Sequence, residues 1–373
     1  MPGLYIHIPF CRKACNYCNF YFTTSPKLKD DFVAALHKEI QMRAHAFDGE
    51  IVSSIYWGGG TPSALSASHI VETMNVLVAN FKIAPDAEVT LEANPDDVHE
   101  ESLQHWKLAG INRLSMGVQS FFDEDLRYMN RSHNTLQTSD CLQKISGAGF
   151  QNFSVDLIYG FPLLSNEKLM HNLNRLTETQ ASHISCYALT VEEKTALYQK
   201  IKKQRLAAPD EEQSQQQFYI IKETLEKAGY VHYEISNFAL PGAHSRHNSA
   251  YWQQQPYLGF GPAAHSFTGN TRSWNIPHLK KYIDAINRGE RLHEYERLTE
   301  AQQLNEYIMT GIRTANGCSL SYIEKHFDSA LVSGFQKQFE TMREKFIINH
   351  HNHFSLKSDY LFFADGIAAE LFV

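Results

Sequence analysis

The sequence predicts an α/β fold, a partial (β/α)6 barrel followed by a small C-terminal domain of the winged-helix type. Apolar, β-branched runs recur at residues 4–8, 53–57, 88–93, 113–118, 153–159 and 183–190. Helical patterns separate them at residues 28–44, 67–81, 100–110, 136–149 and 167–180. Strands that alternate with helices over short connections require parallel pairing and right-handed crossovers, which leaves an open doubly wound sheet or a barrel.

Polar residues at the ends of three apolar runs favour the barrel. Glu92, Gln119 and Asp156 stand in LEANP, GVQSF and VDLIYGFP. The carboxyl ends of barrel strands are where ligand-binding side chains from several strands converge. Any one of these residues alone is also typical of a hydrogen-bonded polar side chain in a core. Three in succession predict a binding site.

The C-terminal part changes pattern at about residue 298. Helical patterns at residues 299–314, 320–327 and about 333–345 precede a hairpin with a polar tip at His350, His351 and His353. Helices followed by a two-stranded wing are typical of a winged-helix domain. Because the segment lacks a cationic recognition face, we expect a lid or a partner-docking module.

Composition and charge limit the function classes. The chain has 373 residues, 43% of them hydrophobic, and a formal net charge of −7, which argues against a nucleic-acid partner. The first residues, MPGLYIHIP, carry no export signal, and no apolar run reaches the roughly 18 to 20 residues of a membrane span. We therefore predict a cytoplasmic protein.

Three of the six cysteines are clustered as Cys11-x3-Cys15-x2-Cys18. In a reducing compartment such a cluster predicts metal or iron–sulfur ligation rather than disulfides. A 4Fe–4S cubane needs four ligands, so three thiolates leave one iron open. The alternative is a zinc site completed by His7, which Pro9 separates from the cysteines. The remaining cysteines, at positions 141, 186 and 318, are expected to be buried and inert, with Cys186 as a weak exception because folding could bring it to the barrel mouth.

YIHIPF followed by CxxxCxxC, together with the GGGTP turn at residues 58–62, resembles the radical S-adenosylmethionine (SAM) superfamily. The resemblance is closest to the branch that contains oxygen-independent coproporphyrinogen III dehydrogenase and a haem chaperone. It implies a TIM-like radical-SAM barrel with a 4Fe–4S cluster and SAM. It also implies that an electron delivered to the cluster cleaves SAM to methionine and a 5′-deoxyadenosyl radical. The protein's part is to bind and orient SAM and to exclude water.

The resemblance also implies residue roles. The metal ligands are Cys11, Cys15 and Cys18. The expected cofactor contacts are Tyr5, Tyr17, Gly59, Gly60, Thr61, Glu92, Gln119, Arg131, Asp156 and Ala188. Glycines in the turn let backbone N–H groups approach a carboxylate, and Tyr17 is expected near the adenine.

Two features bear on the choice within the branch. The dehydrogenase is expected to have another cysteine two residues after Cys18 and a long N-terminal extension, whereas this chain has Phe20 and starts ten residues before Cys11. HNSAYW, residues 247–252, matches a motif of the haem chaperone. It implies haem or substrate contacts from His247, Asn248, Tyr251 and Trp252. An imidazole suits axial ligation of haem iron, and aromatic faces suit a porphyrin; the alternative is a surface loop with an aromatic anchor.

The domain organisation expected is a radical-SAM barrel at 1–210, a barrel extension with the HNSAYW segment at 211–297, and the C-terminal domain at 298–373. The sequence G-x-G-x-x-A at residues 259–264 is expected to be a tight turn without a preceding strand, not a dinucleotide site.

The function expected is a haem chaperone that delivers haem to respiratory cytochromes. The alternatives are a coproporphyrinogen III dehydrogenase of porphyrin biosynthesis and, last, an electron-transfer or zinc protein, so enzymatic activity is left open. Expected partners are haem or porphyrin and an electron donor to the cluster, with membrane cytochromes and a homodimer as further candidates, and no nucleic acid.

Overall fold

The computed structural model describes residues 1–350 and 352–373, with only the backbone described at 349 and 350. Its centre is a run of six parallel strands that pair in chain order. They are β1 (Gly3–Ile8), β2 (Ile51–Gly59), β3 (Lys82–Ala93), β4 (Arg113–Gln119), β5 (Phe153–Tyr159) and β6 (His183–Ala188). The six predicted strands and the partial (β/α)6 barrel are therefore confirmed.

Helices cover the outside of this sheet. They are α1 (Lys29–Met42), α2 (Ala67–Asn80), α3 (Glu100–Leu108), α4 (Asp123–Tyr128), α5 (Thr135–Gly147), α6 (Asn166–Glu178), α7 (Ala196–Lys202) and α8 (Glu211–Lys227). Several begin at a side-chain cap: Ser66 accepts from the His69 N–H, and Asn134 forms a capping box with Gln137. These caps explain why the helices start where the sequence predicted.

Alternation along each strand separates an apolar face from a polar one. On β1, Leu4, Ile6 and Ile8 are fully buried in the main hydrophobic core. Tyr5 lies on the opposite face, where its ring stacks at 6.3 Å from that of Tyr56 on β2. The interior of the partial barrel is therefore polar and aromatic, which makes room for a site.

Further elements extend both ends of the sheet. They are β7 (Val231–Glu234), β8 (Asn237–Ala239), α9 (Arg246–Trp252), β9 (Tyr257–Phe260), β10 (His265–Phe267), β11 (Thr271–Asn275), α10 (Leu279–Asn287) and β12 (His293–Arg297). β8 pairs antiparallel with β6, and β9 pairs parallel with β1.

The turn at residues 259–264 corrects one expectation. A strand, β9, does precede it, although four residues were too few to recognise in the sequence. Gly261 has a φ of 96°, and a Cβ there would lie 2.4 Å from the His7 carbonyl oxygen. Glycine is needed because the turn packs against β1.

The C-terminal segment forms a second core. Its elements are α11 (Glu300–Ile312), β13 (Cys318–Ser319), α12 (Leu320–His326), α13 (Ser329–Phe346), β14 (Ile347–His350), β15 (His353–Leu356) and α14 (Ala364–Glu370). β14 and β15 form the expected antiparallel hairpin, while His351 lies outside the described residues. The winged-helix assignment and the three domain boundaries stay predictions.

Backbone hydrogen bonds join this segment to the edge strand β7. The Ile235 N–H donates to the Arg313 carbonyl at 3.0 Å, and the Ala315 N–H donates to the Tyr233 carbonyl at 3.0 Å. Within the described residues, no helix is both long enough and apolar enough to cross a membrane.

Candidate cluster and cofactor site

A cavity of about 900 Å³ occupies the interior of the barrel. This volume lies near the top of the range of about 300 to 1,000 Å³ typical of cofactor and small-molecule sites. The predicted site residues that line it are Cys11, Cys15, Tyr17, Cys18, Gly59, Gly60, Thr61, Glu92, Gln119, Arg131, Asp156, Ala188 and Asn248. The structure therefore brings nearly all the predicted cluster and SAM contacts together.

The cysteine loop is anchored to the barrel mouth by backbone hydrogen bonds. The Cys11 N–H donates to the Thr23 carbonyl at 3.0 Å, and the Asn16 N–H donates to the Met129 carbonyl at 3.0 Å. All three thiols are free and only partly buried. Burial raises the pKa of Cys11 to about 11, so ligation of a metal must displace a proton.

His7 does not complete a zinc site. Its Nε2 donates to the Tyr21 carbonyl at 2.9 Å, which leaves Nδ1 to accept from the Tyr5 hydroxyl at 3.1 Å. Burial lowers the pKa of His7 to about 4, so the ring is neutral with both nitrogens engaged. Across the part of the chain that the structure describes, no three His, Cys, Asp or Glu side chains converge on one ion. Three spaced thiols fit a multi-iron cluster better than a mononuclear site.

The glycine turn after β2 lies directly against the cysteine loop. Gly59 has a φ of 104°, and a Cβ there would lie 2.6 Å from the His7 ring. A Cβ on Gly60 would lie 2.8 Å from the Ile8 carbonyl oxygen and 3.1 Å from the Cys11 sulfur. These distances leave no space for a larger residue, so the turn holds the cysteine loop close.

Two buried carboxyl groups face the cavity beyond the turn. The Tyr56 hydroxyl donates to Glu92 Oε1 at 2.8 Å, and burial raises the pKa of Glu92 to about 8. Burial also raises the pKa of Asp156 to about 6, and the Ser115 hydroxyl donates to it at 3.4 Å. Such carboxyls favour a ligand that brings an ammonium group or hydroxyl donors.

Arg131 links several of these elements. Its Nη1 donates to the Cys15 sulfur at 3.4 Å and to the Tyr17 hydroxyl at 3.3 Å, and its Nη2 donates to the Gly117 carbonyl at 2.7 Å. Nearby, Gln119 has a φ of 69°, and its buried Oε1 has no hydrogen-bond partner in the described chain. A strained residue with an unpaired acceptor at the cavity wall fits a binding site.

Tyr5 is the one predicted cofactor contact that does not line the cavity. It lies behind the wall, where it donates to His7 and stacks on Tyr56. It can therefore support the residues that face the cavity without touching a ligand itself.

The structure rules out the surface-loop alternative for the HNSAYW segment. The segment forms helix α9, not a surface loop, and His247 is 1% exposed. Its Nδ1 is 2.8 Å from the Ser54 hydroxyl, and its Nε2 is 2.9 Å from the Tyr251 hydroxyl. With both ring nitrogens engaged and burial lowering its pKa to about 3, His247 presents no free nitrogen to a haem iron in this conformation.

Of the other three motif residues, only Asn248 lines the cavity. The ring of Trp252 lies 5.1 Å from the guanidinium carbon of Arg313. Tyr251 packs edge-on against Tyr257 with ring centroids 4.5 Å apart. The motif therefore packs the base of the barrel, and haem contact by His247, Tyr251 and Trp252 stays a prediction that this geometry does not favour.

Two functional candidates at the base were missed by the sequence reading. Glu88 accepts hydrogen bonds from Ser245, Arg246 and His247, and so holds the start of α9. Arg113 is a buried arginine that lines the cavity. Arg113 is the first residue of β4 and Glu88 lies in the middle of β3. Neither stands at the carboxyl end of its strand, so the sequence carried no signal for them.

Comparisons with known proteins agree with this geometry. The profile of the Radical SAM superfamily matches residues 5–176. The haem chaperone HemW of Bacillus subtilis is 35% identical over 94% of this chain and 93% of that protein. The chain belongs to the HemW family of radical SAM proteins. HemW of Lactococcus lactis is similar too, at 32% identity over 92% of this chain and 90% of its own.

A solved structure extends the HemW comparison to the fold. Coproporphyrinogen III oxidase (HemN) from Escherichia coli, described as a radical SAM enzyme, superposes with a TM-score of 0.86 at 26% identity. The match covers 100% of this chain and 90% of that chain. The HemW family fold is therefore that of HemN, and the predicted radical-SAM α/β fold is confirmed.

Proposed function

We propose that the protein is a haem chaperone that holds a 4Fe–4S cluster and SAM in the barrel cavity and passes haem to respiratory cytochromes. The observation that carries this proposal is the convergence of Cys11, Cys15 and Cys18 with most of the predicted SAM contacts on one cavity. The name haem chaperone, borne by relatives that match nearly the whole chain, supports the cargo.

In this proposal Cys11, Cys15 and Cys18 ligate three irons of the cluster. When bound and reduced, the cluster supplies the electron for reductive cleavage of SAM. The turn at Gly59, Gly60 and Thr61 offers backbone N–H groups to the methionyl carboxylate.

Side chains on three strands orient the rest of SAM in this proposal. Glu92 receives the methionyl ammonium group, and Gln119 and Asp156 receive polar groups of the nucleoside. Arg131 donates to the Cys15 sulfur and to the Tyr17 hydroxyl, which fixes the position of the cysteine loop and of the Tyr17 ring.

Phe20 favours the chaperone over the dehydrogenase. It stands two residues after Cys18, where the sequence comparison leads us to expect a further cysteine in the dehydrogenase. Its side chain is 69% exposed and lines the cavity. An exposed aromatic ring at the mouth suits a flat apolar cargo better than redox chemistry with a fourth thiol.

Coproporphyrinogen III dehydrogenase remains the second candidate. The observation that favours it is the completeness of the cavity: the three thiols, the glycine turn and the polar strand ends are all retained, and HemN shares the fold.

The proposal also includes a location and partners. The protein acts in the cytoplasm, receives electrons from a donor, and meets membrane cytochromes with or without forming a homodimer. The C-terminal segment acts as a lid, since Arg313, Phe362 and Asp365 contribute to the cavity wall.

The deciding experiment is an anaerobic assay of the reconstituted protein with SAM, a strong reductant and coproporphyrinogen III. 5′-Deoxyadenosine and decarboxylated product are measured together, and haem binding is measured by absorbance on the same preparation. We expect haem binding without decarboxylated product. Many turnovers that yield both products would establish the dehydrogenase instead.

A further inference from the structure

The base of the cavity contains an arginine that the SAM site does not use. Arg113 is the first residue of β4, its side chain is 2% exposed, and it lines the cavity. Its Nε has no hydrogen-bond partner among the described residues. Leaving a buried guanidinium nitrogen unpaired is costly, so the position calls for an anionic or acceptor group.

Glu88 does not satisfy Arg113. The shortest approach, from Arg113 Nε to Glu88 Oε2, is 4.0 Å, which is too long for a hydrogen bond. The Glu88 carboxylate instead accepts from the backbone N–H groups of Arg246 and His247 at 2.9 and 3.0 Å and from the Ser245 hydroxyl at 3.3 Å. Its hydrogen bonds are therefore committed to the start of α9, and it offers Arg113 an ion pair at 4.0 Å but no hydrogen bond.

Several neutral polar side chains line the same cavity as Arg113. Asn248, which follows His247 on α9, and the hydroxyls of Ser154 and Ser185 all line it. The Ser154 hydroxyl is 2.8 Å from His183 Nδ1 and 3.3 Å from the Ser185 hydroxyl. The Asp156 carboxyl group lines the cavity as well, and the charge of Arg113 opposes the burial that raises the pKa of Asp156. Arginine can bind a carboxylate through two parallel hydrogen bonds, so Arg113 with these neutral donors suits such a group.

Arg113 lies at the far end of β4 from the glycine turn and Gln119, although one predicted SAM contact is nearer: Asp156 accepts from Ser115, two residues after Arg113, at 3.4 Å. Arg113 begins β4 and Gln119 ends it. Six residue steps along a strand span about 20 Å. A group held at the glycine turn and at Gln119 is thus towards the opposite end of the strand, while Glu92 and Asp156 lie at the level of Ser115, so a second ligand at Arg113 would adjoin the SAM site.

We propose that Arg113 and Asn248 form a carboxylate-binding subsite at the base of the cavity and that it takes a carboxylate side chain of the porphyrin cargo. This inference rests on the proposed haem-chaperone function, because it needs a cargo that reaches the cavity. It also gives the HNSAYW segment a role that its geometry supports: α9 carries Asn248 to the cavity, while His247 fixes the helix in place.

The test compares haem with haem dimethyl ester, which has the same iron and ring but no free carboxylate. Affinities are measured for the cluster-loaded wild type and Arg113→Gln. The wild type should bind free-acid haem about 10- to 100-fold more tightly than the ester, as expected for a charge-assisted hydrogen bond. Arg113→Gln should lose this preference and keep the wild-type affinity for SAM.

Arg246→Gln is the matched control. Arg246 lies on α9, the helix that carries Asn248. Its side chain is 54% exposed, and it pairs with Asp86 at 3.0 Å. It should retain the full preference for the free acid. A second variant, Asn248→Asp, introduces a carboxylate at the cavity wall and should weaken binding of the free acid at least tenfold more than binding of the ester.

Each remaining outcome overturns the subsite. An unchanged preference in Arg113→Gln removes Arg113 from cargo binding, and a loss of SAM affinity alone reassigns it to the SAM site. If Arg113→Gln does not fold, Asn248→Asp decides, and an unchanged preference there rejects the proposal. If the wild type binds no haem at all, the proposed function fails and the subsite fails with it.

Discussion

The cysteine loop and helix α9 both matched a family motif, yet their environments are opposite. In the loop, the three thiols are free and line the cavity. In α9, the ring of His247 is buried and both its nitrogens are hydrogen-bonded. A motif residue can act as a ligand only if its donor atom is available, so the same kind of sequence match carries different meaning in the two regions.

The same difference predicts in which region substitutions affect cofactor binding and in which they affect folding stability. Changes in the loop should alter what the protein holds, because its side chains have few protein partners. Changes in α9 should alter stability, because its polar groups are paired with Ser54, Tyr251 and Glu88. Four predictions test this contrast.

The largest effect is expected from Cys15→Ala, which should abolish the 4Fe–4S cluster because a cubane held by three thiolates cannot be retained by two. Iron and sulfide analysis and the visible spectrum after anaerobic reconstitution check this. Cys141→Ala is the control, since Cys141 is buried in α5 outside the cavity lining. Unchanged iron in Cys15→Ala would exclude that residue as a ligand.

Gly60→Ala should reduce cluster content by more than half without unfolding the protein. The added Cβ would approach the carbonyl oxygens of Ile8 and Phe10 to 2.8 and 2.9 Å and must displace the cysteine loop. Gly147→Ala, at a helical site with no atom within 4 Å of the added Cβ, is the control. Equal iron content in the two variants contradicts the packing argument.

His247→Ala should lower the free energy of unfolding by about 2 to 4 kcal/mol, because it opens a cavity and leaves two hydroxyl groups without a partner. Urea denaturation checks this, with the exposed His45→Ala as control. Loss of the haem spectrum at unchanged stability would instead support the axial-ligand role that the sequence suggested.

The last prediction concerns the pH dependence of stability of the protein without cofactors, which develops gradually over several pH units. Because the pKa of Glu92 is about 8 in the fold and about 4.5 when unfolded, the folded state binds the extra proton between these values. The free energy of unfolding should then fall as pH rises from about 4.5 to 8, by at most about 1.4 kcal/mol per pH unit.

Glu92→Gln removes this titrating group, so its stability curve should be flatter across the same window. Glu101→Gln, exposed on α3, is the control. If the free energy of unfolding of the wild type instead rises with pH relative to that of Glu92→Gln, then Glu92 is ionised in the folded state.

Much of the barrel could be predicted because its signals are local. The six parallel strands and the main helices follow from apolar periodicity and caps that lie within a few residues of one another. β9 escaped prediction because its four residues carry little periodicity. Its identity as a strand comes from pairing with β1, some 250 residues earlier in the chain.

The mouth of the site was also predictable, whereas its base was not. Glu92, Gln119 and Asp156 stand at strand ends, and a barrel brings such ends together. Arg113 begins β4 and Glu88 lies in the middle of β3, and their sequence neighbourhood is the same as that of an ordinary surface charge. The burial and hydrogen bonds of His247 could not be predicted, because a motif match does not reveal which groups surround a residue.

The sequence by itself determined the donor chemistry at the mouth. Three thiols within eight residues must lie in one loop, and the glycines at the end of β2 have no side chain to keep that loop away. Only the tertiary structure decided which polar side chains face the cavity and which have their donor and acceptor atoms occupied by hydrogen bonds within the protein. That choice depends on partners distant in the chain, since Glu88 and Ser54 meet α9 only after the sheet has closed around it.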